Sequence, residues 1–345
     1  MVFPRAVLVG HGVLDELGRL CRGFDFPPVG AIVTGTRTAS LAGKRAAEIL
    51  TDAGFTMSIL PAGEATMAEV ERVQHEVETC GARFLIAVGG GSKIDITKVA
   101  AARGKIPFVS VPTSAAHDGI SSPRASIRGT ERASSVEAVV PIGVLADTSV
   151  IVQAPFRLLA SGCADVISNE TAVLDWRLAA RLRNEEYSST GATLAEYAAR
   201  EIAEHAPLIK PNLEESVWIA IRPMIVAGIA MSVAGSSRPC SGSEHLFSHA
   251  LDRFAEKPSL HGEQCGVGAI MMMYLHGGDW RRLRMSLHTI GAPTTARELG
   301  VTPEEVVQAL VAAHSVRPDR YTILGDNGLS KDAAERLAGV TGVIG

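Results

Sequence analysis

Paired thiols are what this sequence most plainly lacks. Its five cysteines, Cys21, Cys80, Cys163, Cys240 and Cys265, are odd in number and widely spaced, and none forms a CxxC pair. That excludes a disulfide framework and a thiolate zinc knuckle, and it fits a reducing, cytoplasmic compartment. An excess of one charge is also missing. Thirty-three Lys and Arg stand against 37 Asp and Glu, the basic residues are scattered, and no stripe for nucleic acid forms. No clean apolar run is long enough to span a bilayer: residues 217–234 carry Arg222 and Pro223, and residues 267–275 are too few. Residues 1–10 are interrupted by Arg5 and read as a short strand rather than a signal peptide. The expectation is a soluble enzyme-like chain without membrane insertion. At 345 residues it exceeds the size at which one core keeps growing, so two domains are expected.

The two domains speak different patterns. Short β-branched runs at 31–35, 56–60, 84–88, 107–111 and 142–146 alternate with helical stretches such as 38–53 and 67–79. Continuous apolar strands separated by helices predict a parallel sheet covered on both faces. A polar excursion at 121–137 reads as a hairpin. After Pro155, Ala, Leu, Glu and Arg recur at helical spacing, with helices expected at 156–168, 170–182, 193–205, 213–234, 241–254, 264–276, 303–314 and 331–337. The fold class is therefore an α/β N-terminal domain with a parallel nucleotide-binding sheet, residues 1–153, followed by an all-helical domain, residues 154–345. A cleft between two such domains is where ligands are expected.

Two strand ends carry candidate anion chemistry. Gly89, Gly90, Gly91 and Ser92 follow the strand FLIAV and open a helix, so backbone can approach a pyrophosphate while free N–H groups face it. Neither GxGxxG nor GxxxxGK[ST] is present, and a merely glycine-rich β-to-α turn is the plain alternative. The next strand ends in Thr113, Ser114, Ala115, Ala116, His117 and Asp118. Its hydroxyls would meet cofactor at the carboxyl edge of a parallel sheet, or simply cap a helix. The strand tip Gly35-Thr36-Arg37 has no carboxylate to repel a 2′-phosphate, which points to NADP being accepted beside NAD.

The helical half holds Asp165, His245 and His261, one carboxylate and two imidazoles that suit a divalent borderline metal with a fourth position open. His249 follows His245 by four residues and shares its helix face, so it is either a further ligand or a group aimed at substrate. His11, His75, His205, His276, His288 and His314 read as ordinary histidines.

Five strings carry a resemblance: GGGSKID (89–95), VPTSAAHDGISSPRAS (111–126), SGCADVISNETAVLDW (161–176), RPCSGSEHLFSHALD (238–252) and LHGEQCGVGAIMM (260–272). Together they resemble the superfamily of iron-type alcohol dehydrogenases, glycerol dehydrogenase and dehydroquinate synthase, and within it the sn-glycerol-1-phosphate dehydrogenase family. The resemblance implies zinc, or else nickel or iron, on Asp165, His245 and His261. It implies NAD or NADP on Gly89, Gly90, Gly91, Ser92, Lys93, Ile94, Asp95, Thr113, Ser114, Ala115, Ala116 and Ser122. Substrate would meet Asp118, Asp165 and His249. Asn169 stands where iron-type alcohol dehydrogenases carry a histidine, which favours three protein ligands, and Asp165 stands where dehydroquinate synthases use Glu. Lys93 stands where the family often has an aliphatic residue.

The implied reaction is reduction of dihydroxyacetone phosphate to sn-glycerol 1-phosphate, for archaeal-type ether phospholipids, in a cytoplasmic homo-oligomer. Lys98, Arg124 and Arg238 are phosphate candidates by position. Alternatives are a dehydrogenase for unphosphorylated glycerol, a dehydroquinate-synthase-like cyclase, and a non-catalytic nucleotide-binding protein.

Overall fold

The computed structural model describes residues 1–128, 134–257 and 259–345. The chain divides into two compact units, residues 1–155 with 212–228, and residues 156–211 with 229–345.

The first unit is built on a 6-stranded parallel sheet of β1 (Ala6–Gly10), β2 (Val29–Thr34), β3 (Thr56–Pro61), β4 (Leu85–Gly89), β5 (Phe108–Pro112) and β8 (Gly143–Asp147). Strands β4, β5 and β8 are buried from end to end, which is why they read as unbroken apolar runs. The order is β1-β8-β5-β4-β2-β3. The chain steps from β2 outward to β3, then returns to place β4 on the other side of β2. That reversal puts the switch point between β2 and β4, the position at which open parallel sheets receive ligands at their carboxyl ends. Helices α1 (Leu17–Gly23), α2 (Thr36–Thr38), α3 (Lys44–Asp52), α4 (Met67–Thr79) and α5 (Gly91–Gly104) connect the strands, and α6 (Thr148–Ile151) follows β8. A π turn joins α2 to α3, so the helix expected over 38–53 is present with one distortion. Leu17, Ile32, Leu50, Phe84, Ile86, Val109 and Leu145 form the core beside the sheet. The expected hairpin is an antiparallel pair, β6 (Arg124–Ile127) and β7 (Ser134–Glu137), whose connecting residues 129–133 lie outside the described ones.

The second unit is helical: α7 (Phe156–Ile167), α8 (Asn169–Arg183), α9 (Ser189–Glu204), then, beyond α10 (Glu214–Ala234), α11 (Ser243–Phe254), α12 (His261–Leu275), α13 (Trp280–Ile290), α14 (Ala296–Leu299), α15 (Pro303–Val316) and α16 (Lys331–Val340). Residues 212–228, which include the first part of α10, belong to the first unit, whereas a cut at residue 153 would assign them to the second. The physical reason is specific bonding: Glu214 accepts from Thr148 Oγ1 at 3.0 Å, and Ser121 Oγ donates to the Ile225 carbonyl at 2.8 Å. Among the described residues α10 is long and apolar enough to cross a membrane, but Val217, Ala220, Ile221, Met224 and Ala227 are buried within the fold.

Candidate functional site

The glycine turn lies where the topology directs a ligand. β4 ends at Gly89, Gly90 is the N-cap of α5, and no side chain caps that helix. An uncapped N-terminus presents N–H groups and a positive dipole end, which suits a pyrophosphate. Gly91 is required for close approach: a Cβ there would sit 1.9 Å from His117 Nε2. His117 is held by accepting the Gly119 N–H on Nδ1 at 2.8 Å. Ser114 Oγ reaches the same turn, 3.0 Å from where a Gly90 Cβ would stand. Lys93 packs its stem on Gly89 and donates to the Gly63 carbonyl at 2.5 Å.

Other members of the expected cofactor set have structural tasks. Ile94 is fully buried. The Asp95 carboxylate accepts from Lys98 Nζ at 3.2 Å and from the Ser126 N–H at 3.1 Å. Lys98 is wholly buried and also donates to the carbonyls of Gly119 and Arg124 and to Ser122 Oγ. Its ammonium thus fixes the loop carrying Asp118 and Ser122, and it has no donor left for a substrate phosphate. Arg238 is likewise committed, to both Glu185 oxygens and the Tyr321 carbonyl. Position alone misled for both, because sequence does not reveal which cations are already hydrogen-bonded.

In the second unit three helices bring a donor set together. α12 packs on both α7 and α11. It approaches α7 because Gly262 lacks a side chain: a Cβ there would lie 2.1 Å from the Ser161 carbonyl oxygen. That contact sets His261, the first residue of α12, beside Asp165 of α7. His245 Nε2 and His261 Nε2 each stand 3.8 Å from Asp165 Oδ1. Cys265 completes a group whose candidate ligand atoms all lie within 4.8 Å of one another. Two donors bound to one tetrahedral ion at about 2.0–2.1 Å would be about 3.3–3.4 Å apart, so a small inward shift suffices. Asp165, His245 and His261 therefore fit a divalent metal, and His249 lies outside the group.

Both imidazoles are oriented by neighbours. His245 Nδ1 lies 2.9 Å from Glu244 Oε1, a buried carboxylate that also accepts from Thr171 Oγ1 and the Gly242 N–H. His261 Nδ1 is 3.1 Å from Ser248 Oγ. Ser248 donates its one proton to Gln264 Oε1, whose amide donates in turn to Asp252 Oδ1. Ser248 must then accept from His261 Nδ1–H, and in both histidines Nε2 is left as the lone-pair donor. Burial first, then the neighbouring His261 and Arg320, holds His245 well below the usual imidazole range, so it is neutral and ready to ligate.

Two further polar groups are buried without a hydrogen-bond partner among the described residues: both amide atoms of Asn169 and Nδ1 of His249. Native structures rarely leave such groups unsatisfied unless a ligand or water serves them. Asn169 lies four residues after Asp165 and is fully buried. The His249 ring is 5.6 Å from His261 and 6.4 Å from His245, centroid to centroid. Sequence reasoning missed Cys265, which was read only for CxxC pairing, and the orienting roles of Glu244, Ser248 and Gln264. Those three sit inside the motif strings, but their partners come from other turns and helices.

Comparison with known proteins follows the same line. The family described as iron-containing alcohol dehydrogenase matches residues 8–155. A glycerol-1-phosphate dehydrogenase [NAD(P)+] of Methanosarcina acetivorans is 54 % identical over 344 residues, 100 % of this chain and 96 % of its own length. Its namesake from Methanothermobacter thermautotrophicus is 54 % identical over 99 % of this chain and 98 % of its own. The glycerol dehydrogenase structure from Schizosaccharomyces pombe superposes with a TM-score of 0.81 over 99 % of this chain and 90 % of that one, at 19 % identity, a likeness of fold.

Proposed function

Because the chain belongs to the glycerol-1-phosphate dehydrogenase family, we propose that it reduces dihydroxyacetone phosphate with NADH or NADPH to sn-glycerol 1-phosphate, the backbone unit of archaeal-type ether phospholipids. It is an NAD(P)-dependent oxidoreductase. The observation that carries the substrate is identity above one half along the whole chain with relatives bearing that name.

Asp165, His245 and His261 would hold zinc, with nickel or iron as substitutes. When bound, the metal supplies a Lewis acid for the C2 carbonyl and the reduced nicotinamide supplies the hydride. The chain's own residues prepare these events. Glu244 and Ser248 hold the two imidazoles in the tautomer that presents Nε2. Gly89, Gly90, Gly91 and Ser92 offer the pyrophosphate a helix end, and Thr113, Ser114, Ala115, Ala116 and Ser122 line the neighbouring strand end and loop for the rest of the cofactor. Lys93, Ile94 and Asp95 support that helix end through its first turns. Asp118, Asp165 and His249 are assigned to substrate hydroxyls. Residues 1–153 would thus hold the cofactor and contribute Asp118 to the substrate, and residues 154–345 would hold the metal and the rest of the substrate site. Five free cysteines fit a cytoplasmic setting. Assembly into a homo-oligomer is carried by the resemblance alone, and sedimentation tests it.

The deciding experiment compares oxidation of NADH and NADPH with dihydroxyacetone phosphate and with dihydroxyacetone, followed by chiral analysis of the product. Preference for the phosphate ester and formation of the sn-1 enantiomer are expected. Preference for unphosphorylated dihydroxyacetone would replace this reading with a glycerol dehydrogenase. No net NAD(P)H consumption by zinc-loaded enzyme would leave the cyclase or the non-catalytic reading.

A further inference from the structure

A phosphorylated substrate needs a cationic pole, and the positional candidates Lys98 and Arg238 are already occupied by protein acceptors. The second unit holds two other arginines. Arg317 is the C-cap residue of α15, and Arg320 follows one turn later, donating its N–H to the Arg317 carbonyl at 2.9 Å. The Arg320 guanidinium donates to the Ser241 carbonyl at 2.5 Å and to Ser237 Oγ at 2.9 Å. Ser241 immediately precedes the N-cap of α11, the helix that carries His245 and His249, and α15 packs along that helix. Arg320 is therefore anchored at the end of α11 that bears the metal ligand.

Charge compensation there is incomplete. Glu185 is taken by Arg238, and among the described residues no carboxylate forms an ion pair with Arg317 or Arg320. An Arg fork has five N–H donors, and the two anchoring bonds leave three on Arg320. Burial first, then Arg317 and Arg238, weakens Arg320's hold on its proton, with Glu185 and Glu244 only partly opposing. Both arginines act electrostatically on His249 of the neighbouring helix α11. His249 also has its buried Nδ1 unsatisfied. A guanidinium stays charged at neutral pH, so an incoming anion is the group that would balance it.

We propose that Arg317 and Arg320 form the phosphate-recognising pole of this active site, at the end of the helix that carries His245 and His249. The inference rests on the dihydroxyacetone phosphate reading above and assigns the residues that separate the phosphate ester from free dihydroxyacetone. Two donors on a planar fork match phosphate oxygens, and Arg317 adds a second positive group.

The test uses the zinc-loaded enzyme and the variants Arg317→Met and Arg317→Lys, with Arg320→Lys as a third that retains a cation at the anchored position. Inorganic phosphate is titrated calorimetrically, and kcat and KM are measured for dihydroxyacetone phosphate and dihydroxyacetone. In Arg317→Met, KM for the phosphate ester is expected to rise about 10- to 100-fold, the size of one lost charge-assisted contact, with kcat changed far less. The kcat/KM ratio between the two substrates should fall by a similar factor, phosphate affinity should drop in parallel, and Arg317→Lys should recover part of each. Equal loss on both substrates would show a structural role and overturn the proposal, as would unchanged phosphate affinity and KM in Arg317→Met and Arg320→Lys. A wild type that never reduces dihydroxyacetone phosphate sinks the parent reading. The phosphate titrations then judge the arginine pole separately.

Discussion

Substituting Gly262 with Ala puts the geometry of the candidate metal centre under direct strain. The new Cβ would stand 2.1 Å from the Ser161 carbonyl oxygen, 2.8 Å from its carbon and 2.9 Å from Ser161 Oγ. Two of these three atoms are backbone of α7, so no side-chain rotation relieves the clash. Restoring ordinary contact requires the start of α12 to move about 1 Å from α7. His261 sits at that start and Asp165 on α7, and metal–ligand distances tolerate only about 0.2 Å. Overpacking of this kind costs about 1–3 kcal/mol, offset by less than about 1 kcal/mol of improved helix propensity. Gly262→Ala should therefore lower stability by about 1–2 kcal/mol and weaken metal binding more than tenfold. Urea unfolding of the metal-free chain and competition with a chelating dye measure the two effects. Gly339→Ala, on α16 with nothing within 4 Å of its new Cβ, is the control and should leave both unchanged or slightly improve stability. Wild-type metal affinity and an unshifted unfolding midpoint in Gly262→Ala would refute the argument that this glycine sets the distance between α7 and α12.

Other perturbations address separate parts of the site. Glu244→Gln keeps the volume but weakens the acceptor at His245 Nδ1, and a 10- to 100-fold loss of metal affinity is expected by dye competition. Gly91→Ala drives a Cβ into the His117 ring, so the dissociation constant for NADH, read by fluorescence, should rise at least about tenfold, with metal content unchanged. Glu69 answers to pH. Its hydrogen bonds from Arg72, aided by the Gly63 N–H, lower its pKa to about 2 from 4.5. A depressed carboxylate pKa adds stability that is fully present above about pH 4.5 and lost as pH falls through about 2. Because Arg72 is substantially exposed, the contribution is about 1 kcal/mol rather than the full shift. Glu69→Gln should therefore lower stability at pH 7 and converge with wild type in acid, as followed by urea unfolding across pH.

The sheet was legible because strands buried on both faces leave no polar alternation, so AIVTG, FLIAV and PFVSV mark their positions to within one or two residues. Helix α13 escaped notice although Leu283, Leu287 and Ile290 keep helical spacing. The arginines and histidine around them in WRRLRMSLHTI mask the apolar stripe. The candidate metal donors Asp165, His245 and His261 were readable as residue types, while their convergence depends on Gly262, whose effect appears only once α7 is known to pass beside it. Asn169 was singled out as a departure from a histidine pattern, but its complete burial without hydrogen bonds could not be inferred. Membership of 212–228 in the first unit was hidden as well, since it rests on single long-range bonds such as Glu214 to Thr148.

All the candidate metal donors come from α7, α11 and α12 of one unit, and His245 and His261 stand in the first turns of α11 and α12. An ion that binds the folded arrangement and not the open chain adds its binding free energy to that unit, in proportion to the logarithm of free metal over its dissociation constant. Metal scarcity would then cost lifetime as well as turnover: the helical unit would open more often and be cleared sooner by proteases.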